Sequence, residues 1–148
     1  MIKEICFDMD GTIANLYAVE GWLPMLRAED TTPYEIAPPM FPMNSLARVL
    51  NNAKRHGWTL KVISWSSKTG TPSYNERVRN AKIEWLHKHL ASVVFDEINV
   101  IPYGTPKSRF GNGVLFDDEE RNREEWHGIA YDVNNIVATV QKLVREEM

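Results

Sequence analysis

Ile2-Lys3-Glu4-Ile5-Cys6-Phe7-Asp8-Met9-Asp10-Gly11-Thr12 is the stretch on which the reading of this chain turns. From Ile2 to Asp8 it is mostly apolar and then ends abruptly in polar residues, as a short buried strand does. Side chains alternate with period two along extended backbone, so Asp8 and Asp10 are expected to point the same way. Two carboxylates that close repel each other and lose solvation. A magnesium ion, a hard cation that takes oxygen ligands, resolves the conflict. Gly11 lets the chain turn sharply directly after the pair. A surface turn capped by aspartates explains the stretch equally well on its own, so the decision rests with the rest of the chain.

Working outward, strands alternate with helices. Asn44 to His56 carries Leu46, Val49, Leu50 and Ala53 at helical spacing, with Asn44 as the N-cap and Gly57 as the stop. Leu60 to Ser64 reads as a second strand. Asn75 to Leu90 reads as a helix with Val78, Ala81, Trp85, Leu86 and Leu90 on its inward stripe. Glu97 to Ile101, Gly113 to Phe116 and Gly128 to Val133 supply three more strands. Asn134 to Glu146 closes the chain as a helix that buries Ile136, Val137, Val140, Leu143 and Val144. This alternation predicts an α/β fold, a three-layer Rossmann-like parallel sheet with helices on both faces. Residues 1–148 are read as a single domain. Residues 13–43 form a short helix and loop insertion near the site. From Tyr17 to Met43 that segment has five prolines, as expected of a binding loop or partial cover.

Composition agrees. The chain has 148 residues, 43% hydrophobic and 25% charged, which suits a globular domain rather than a disordered or collagen-like one. A domain of this length buries about 70% of the surface its unfolded chain exposes. The single cysteine, Cys6, excludes an internal disulfide and is expected as a small buried apolar group. No apolar run approaches a membrane span, and the first residues lack the pattern of a signal peptide, so the expected location is cytoplasmic. The net charge of −3 argues against a nonspecific DNA-binding surface, although a local basic groove for nucleic acid stays open. His56, His87, His89 and His127 have no zinc-ligand spacing.

Open parallel sheets bind ligands at the C-terminal ends of their strands. Four polar stretches fall there. Asp8 and Asp10 follow the first strand. Ser64, at the end of the second, offers a hydroxyl to a phosphate oxygen, with Ser66 as the alternative. Lys107, in Tyr103-Gly104-Thr105-Pro106-Lys107-Ser108, follows the third; a lysine there could neutralise a phosphoryl group, although a lone lysine is more often a surface residue. Lys82 is a rival, but its position in mid-helix is expected to turn it away from the strand ends. Asp117 and Asp118 follow the fourth strand. The glutamates after them read as a solvated helix face, and Arg121 and Arg123 as surface ion-pair partners. Tyr17, Trp22, Tyr34 and Trp65 are expected chiefly in the core or beneath the loop; the alternatives are a partial cover that brings Tyr17, Trp22 or Tyr34 near the phosphate, and stacking on a base for Trp65.

In this order, each at a strand end, the four stretches resemble the motifs of the haloacid dehalogenase-like superfamily. The match runs from residue 2 to residue 118, and Asp-Gly-Thr is its most specific element. The wording around Ser64 and Lys107 is also similar to the deoxyribonucleotidase branch. The resemblance implies a magnesium-dependent phosphatase that hydrolyses a phosphomonoester, a nucleotide among the candidates, through an aspartyl-phosphate. Asp8 would be the nucleophile and Asp10 the general acid and base, with Ser64 and Lys107 stabilising the phosphoryl oxygens. Asp8, the backbone carbonyl of Asp10, and Asp117 or Asp118 would hold Mg2+. No large cap domain fits between these motifs. The expected partner is a small phosphorylated substrate, while the open site that follows from the missing cap suits a macromolecule, such as a polynucleotide or phosphoprotein, or a homo-oligomer whose neighbour covers it. A catalytically idle binding domain is the reading from a different class.

Overall fold

The computed structural model describes residues 1–148 and contains one five-stranded, all-parallel sheet. Its strands are β1 (Glu4–Phe7), β2 (Thr59–Trp65), β3 (Glu97–Ile101), β4 (Val114–Phe116) and β5 (Ile129–Tyr131), in the spatial order β3-β2-β1-β4-β5. The main helices are α3 (Met43–Arg55), α4 (Pro72–His89) and α6 (Ile136–Glu146). The short ones are α1 (Trp22–Arg27), α2 (Thr32–Ile36) and α5 (Glu120–Glu125). No helix is long and apolar enough to cross a membrane.

Period-two alternation in β1 divides the core. Ile5 and Phe7 join Leu60, Val62, Val114 and Phe116 on one face, against Leu46 and Leu50 of α3 and Val140 and Val144 of α6. Trp85 and Leu86 of α4 belong to the same cluster. Cys6 faces the other way and meets Ile63, Leu115, Ile101 and Trp126. That second face is covered more thinly than the first. Its small cluster is completed by Trp126, just beyond the single turn and a half of α5.

Several boundaries differ from the sequence expectation. The cap position of α3 falls on Pro42, without a side-chain cap, so Asn44 lies inside the first turn. α4 starts three residues earlier than expected. The Thr71 hydroxyl accepts from the Tyr74 N–H, and Pro72, which lacks an N–H, stands in the first turn where no partner is needed. Residues 13–43 hold a 3-10 turn (Leu16–Ala18) as well as α1 and α2, where one short helix and a loop were expected. The segment is fastened to α4. The Glu29 carboxylate accepts from Thr71 N at 2.9 Å, the Tyr74 hydroxyl donates to Asp30 O at 2.9 Å, and the Trp85 indole donates to Ala37 O at 2.8 Å.

Register at the far end of the sheet is set by a buried carboxylate. Glu4 Oε1 accepts from Asn112 N at 2.8 Å and Gly113 N at 3.0 Å, and Oε2 pairs with Lys61 at 3.0 Å. These bonds tie β1 to the start of β4 and so fix which residues emerge together at the functional end. Burial opposes the charge of Glu4, but the two backbone donors and Lys61 outweigh it and hold the carboxyl below its ordinary value of 4.5. A depressed carboxyl contributes stability that is present above that value and drains as the pH falls through it. Urea denaturation at pH 7 should therefore find Glu4→Gln less stable by about 1.5–3 kcal/mol. The gap should close as the solution is acidified below the ordinary carboxylate range.

Candidate active site

Backbone bonding carries both acidic stretches past their strands. Asp8 N donates to Phe116 O at 3.0 Å, and Asp117 N donates to Tyr131 O at 3.2 Å, so each aspartate still sits in the ladder. The chain then turns tightly. Met9 O accepts from the N–H groups of Thr12, Ile13 and Ala14, and Gly11 adopts φ +82°. Met9 is buried in the core, while Asp8 and Asp10 both face one cleft, as the period-two reading requires.

The structure gathers three carboxylates. One oxygen each from Asp8, Asp117 and Asp118 lie within 4.8 Å of one another. Lys107 spans two of them, donating to Asp8 Oδ1 at 2.9 Å and to Asp117 Oδ2 at 2.7 Å. Thr12 donates to Asp8 Oδ2 at 3.0 Å. Asp117 is fully buried and is held also by Glu119 N at 3.0 Å and Asn122 Nδ2 at 3.1 Å. Asp117 and Asp118 are both in the cluster. Asp10 is not: its carboxylate turns to another partner.

That partner is Lys82, where the structure corrects the sequence reading. Lys82 is only 1% exposed and points at the strand ends, not away from them. Its ammonium donates to Asp10 Oδ2 at 2.9 Å, to Ser64 Oγ at 2.7 Å and to Trp65 O at 2.8 Å, and it lies 5.0 Å from the centre of the Tyr34 ring. Helical side chains lean toward the helix N-terminus, and α4 begins at the C-terminal end of β2. The lean therefore carries Lys82 back into the site. Its spacing held the clue, for it stands at i+4 from Val78 within the stripe that Ala81 and Trp85 share. Asn122 was also missed; it is the one uncharged residue in α5.

Between the two serines, Ser64 is buried and bonded to Lys82, whereas Ser66 is half-buried and lines the cleft. Arg123 donates to the backbone carbonyl of Asp117 at 3.0 Å, and Arg121 pairs with Glu125 on the surface at 3.3 Å. The aromatic residues divide between core and cleft: Tyr34 packs with Leu16 and Tyr74 as expected, and Trp22 packs against that cluster. Tyr17, Trp22 and Trp65 line the cleft, and Tyr34, although buried, reaches it too.

Electrostatics sort the four acids. Burial pushes against the charge of Asp8, but Lys107 outweighs it and keeps the carboxyl below its ordinary value, that is, ionised. Burial raises Asp10, with Lys82 opposing and the Asp8 charge adding to the rise. Burial and the Asp8 charge push Asp117 up to about 6 and Asp118 up to about 8. Lys107, despite burial, is held charged by Asp8 and Asp117. Three hard oxygen donors converge with too much negative charge for one lysine to satisfy. This donor set fits a divalent cation such as Mg2+.

Gly11 tests that fit. A β-carbon there would collide with the Asp118 carboxylate, and φ +82° is strained for any other residue. Gly11→Ala should weaken Mg2+ binding by roughly ten- to a hundredfold in a calorimetric titration, as displaced ligand support does. Unchanged affinity would remove Asp118 from the ligand set.

The architecture is the haloacid dehalogenase-like α/β fold, with its acids and lysines at the C-terminal ends of parallel strands. A solved structure of similar fold is the D,D-heptose 1.7-bisphosphate phosphatase from B. bronchiseptica, crystallised with magnesium and phosphate. The TM-score is 0.65, over 98% of this chain and 99% of that one, with 16% of residues identical. At that identity the likeness is one of fold. No family model matches the sequence, and no curated protein matches it.

Proposed function

We propose that this protein is a magnesium-dependent phosphatase that hydrolyses a phosphomonoester through an aspartyl-phosphate on Asp8. The observation that carries the reading is Lys107 bridging Asp8 and Asp117 while Asp118 closes on the same point. The fold shared with a phosphatase solved with magnesium and phosphate supports it.

Asp8, Asp117 and Asp118 would hold Mg2+, which when bound shields the negative phosphoryl group from the carboxylate attacking it. Asp8 attacks phosphorus and the bond from phosphorus to the ester oxygen breaks. Asp10, whose proton is favoured by burial, passes it to the departing oxygen. Lys82 holds one oxygen of Asp10, which leaves the other free to carry that proton. Water then attacks the aspartyl-phosphate, Asp10 takes the proton from it, and Asp8 returns as a carboxylate with release of inorganic phosphate. Lys107 and the Ser64 hydroxyl stabilise the charge on the phosphoryl oxygens.

Hydrolysis of p-nitrophenyl phosphate tests the proposal. Turnover is expected with Mg2+, and EDTA should abolish it, with recovery when Mg2+ is restored. Equal rates with and without EDTA would refute the metal-dependent reading.

A further inference from the structure

Tyr34 stands on α2, within the 13–43 segment, and is fastened from both sides. Before it, Asp30 O accepts from the Tyr74 hydroxyl at 2.9 Å; after it, Ala37 O accepts from the Trp85 indole at 2.8 Å. Tyr74 and Trp85 bracket Lys82 along α4 in the same way. The two anchors lay the Tyr34 ring against Lys82, whose ammonium is 5.0 Å from the ring centre. The ring packs with Leu16, Tyr74, Val78 and Ala81 and keeps only 5% exposure, so its direction is fixed. The exposure that remains is toward the cleft.

Its hydroxyl is not spent inside the protein. Trp58 Nε1 is the one buried side-chain polar atom sealed from solvent without a partner. The Tyr34 hydroxyl also makes no hydrogen bond to the protein, but it opens on the cleft. Burial and, after it, the charge of Asp10 push the phenol well above its ordinary value of 10, so it stays protonated at neutral pH and able to donate. Lys82 has no donor left to offer there, since its ammonium is spent on Asp10, Ser64 and the Trp65 carbonyl. Arg27, Lys68, Thr69 and Glu119 line the same cleft, but they are exposed and hydrated, and Ser66 is half-buried. Tyr34 is the buried, fixed donor of this cleft whose partner must come from outside the protein.

We propose that Tyr34 is a second catalytic residue on the leaving-group side: its hydroxyl donates a hydrogen bond to the ester oxygen while Asp10 protonates it. The inference rests on the phosphatase reading above and adds a residue to that same site. Asp10 supplies the proton and Tyr34 keeps its own. The Tyr34 bond strengthens as negative charge builds on the departing oxygen, which is the condition for lowering the barrier. In the second half of the reaction the attacking water takes the place of that oxygen. Asp10 is its base, and the Tyr34 oxygen accepts its other hydrogen.

The test compares kcat/KM in Mg2+ for p-nitrophenyl, phenyl and alkyl phosphates, in the wild type and in Tyr34→Phe. The substitution removes one atom that bonds nothing in the protein and keeps the ring against Lys82, so the thermal midpoint should not move. The loss should stay within about threefold for p-nitrophenyl phosphate, whose leaving group needs little help, and should grow through phenyl phosphate to roughly tenfold to a hundredfold for the alkyl ester. An equal loss on all three, or no loss on any, would overturn the inference while leaving a phosphatase. So would a wild type that turned over p-nitrophenyl phosphate alone, because its departing oxygen would then be receiving no help to lose. A wild type that turned over none of the three would fell the phosphatase reading, and this inference with it.

Discussion

Asp8→Asn should lower phosphatase activity by roughly four to six orders of magnitude, the scale seen when a covalent nucleophile is removed. The substitution changes no shape. Asn keeps an oxygen that accepts from Lys107 or Thr12, and Lys107 retains its shorter bond to Asp117 at 2.7 Å. It also relieves repulsion among three crowded acids, so the variant should keep its fold by circular dichroism. What it removes is the ionised oxygen proposed to attack phosphorus, since a neutral amide does not do so at a useful rate. Activity within tenfold of the wild type would require a nucleophile other than Asp8.

Lys82→Met is the second large effect, and it probes the residue that sequence reasoning set aside. Methionine fills the volume of the lysine stem. It leaves Asp10, Ser64 and the Trp65 carbonyl without their common donor. Breaking a buried ion pair from one side costs about 3–5 kcal/mol. The lower end applies here, because the Asp10 side chain keeps 19% exposure and can take water as a partner. On the proposed role of Asp10 as general acid, its loss of alignment should cost about 10²–10⁴ in kcat. The dependence on leaving group separates this from mere loosening of the fold. An alkyl phosphate needs its departing oxygen protonated and should suffer the full loss. p-Nitrophenyl phosphate, whose leaving group departs as a stable anion, should suffer much less. Equal losses on both substrates would make Lys82 a structural residue only.

Much of this site was legible before any coordinates. Asp8 and Asp10 could be paired because a strand repeats every two residues, and Met9 between them is buried in the core as that rule requires. Asp117, Asp118 and Lys107 could be placed because parallel strands present their C-terminal ends on one edge of the sheet. The sheet itself followed from the alternation of short apolar runs with amphipathic helices.

What escaped was set by long side chains and by tertiary cover. Lys82 counted as polar in a pattern that sorts residues by hydropathy, yet its four-carbon stem lies in the stripe of Val78, Ala81 and Trp85 and only its ammonium is polar. Tyr17 and Trp22 were expected in the core or beneath the loop, because large aromatic residues usually bury there, with a place near the phosphate as the alternative. Their place at the cleft depends on how α1 and α2 dock on α4 through Glu29, Asp30 and Ala37, contacts that span more than forty residues and leave no local periodicity. Asn44 failed as a cap because Pro42, already extended, starts the helix ahead of it.

Acid quench of the wild type during turnover in Mg2+, followed by mass spectrometry of its peptides, tests the central claim most directly. One phosphoryl group should appear on the peptide that carries Asp8, should disappear when substrate is exhausted, and should be absent from Asp8→Asn. A phosphoryl group on any other residue, or full turnover by Asp8→Asn, would contradict the account.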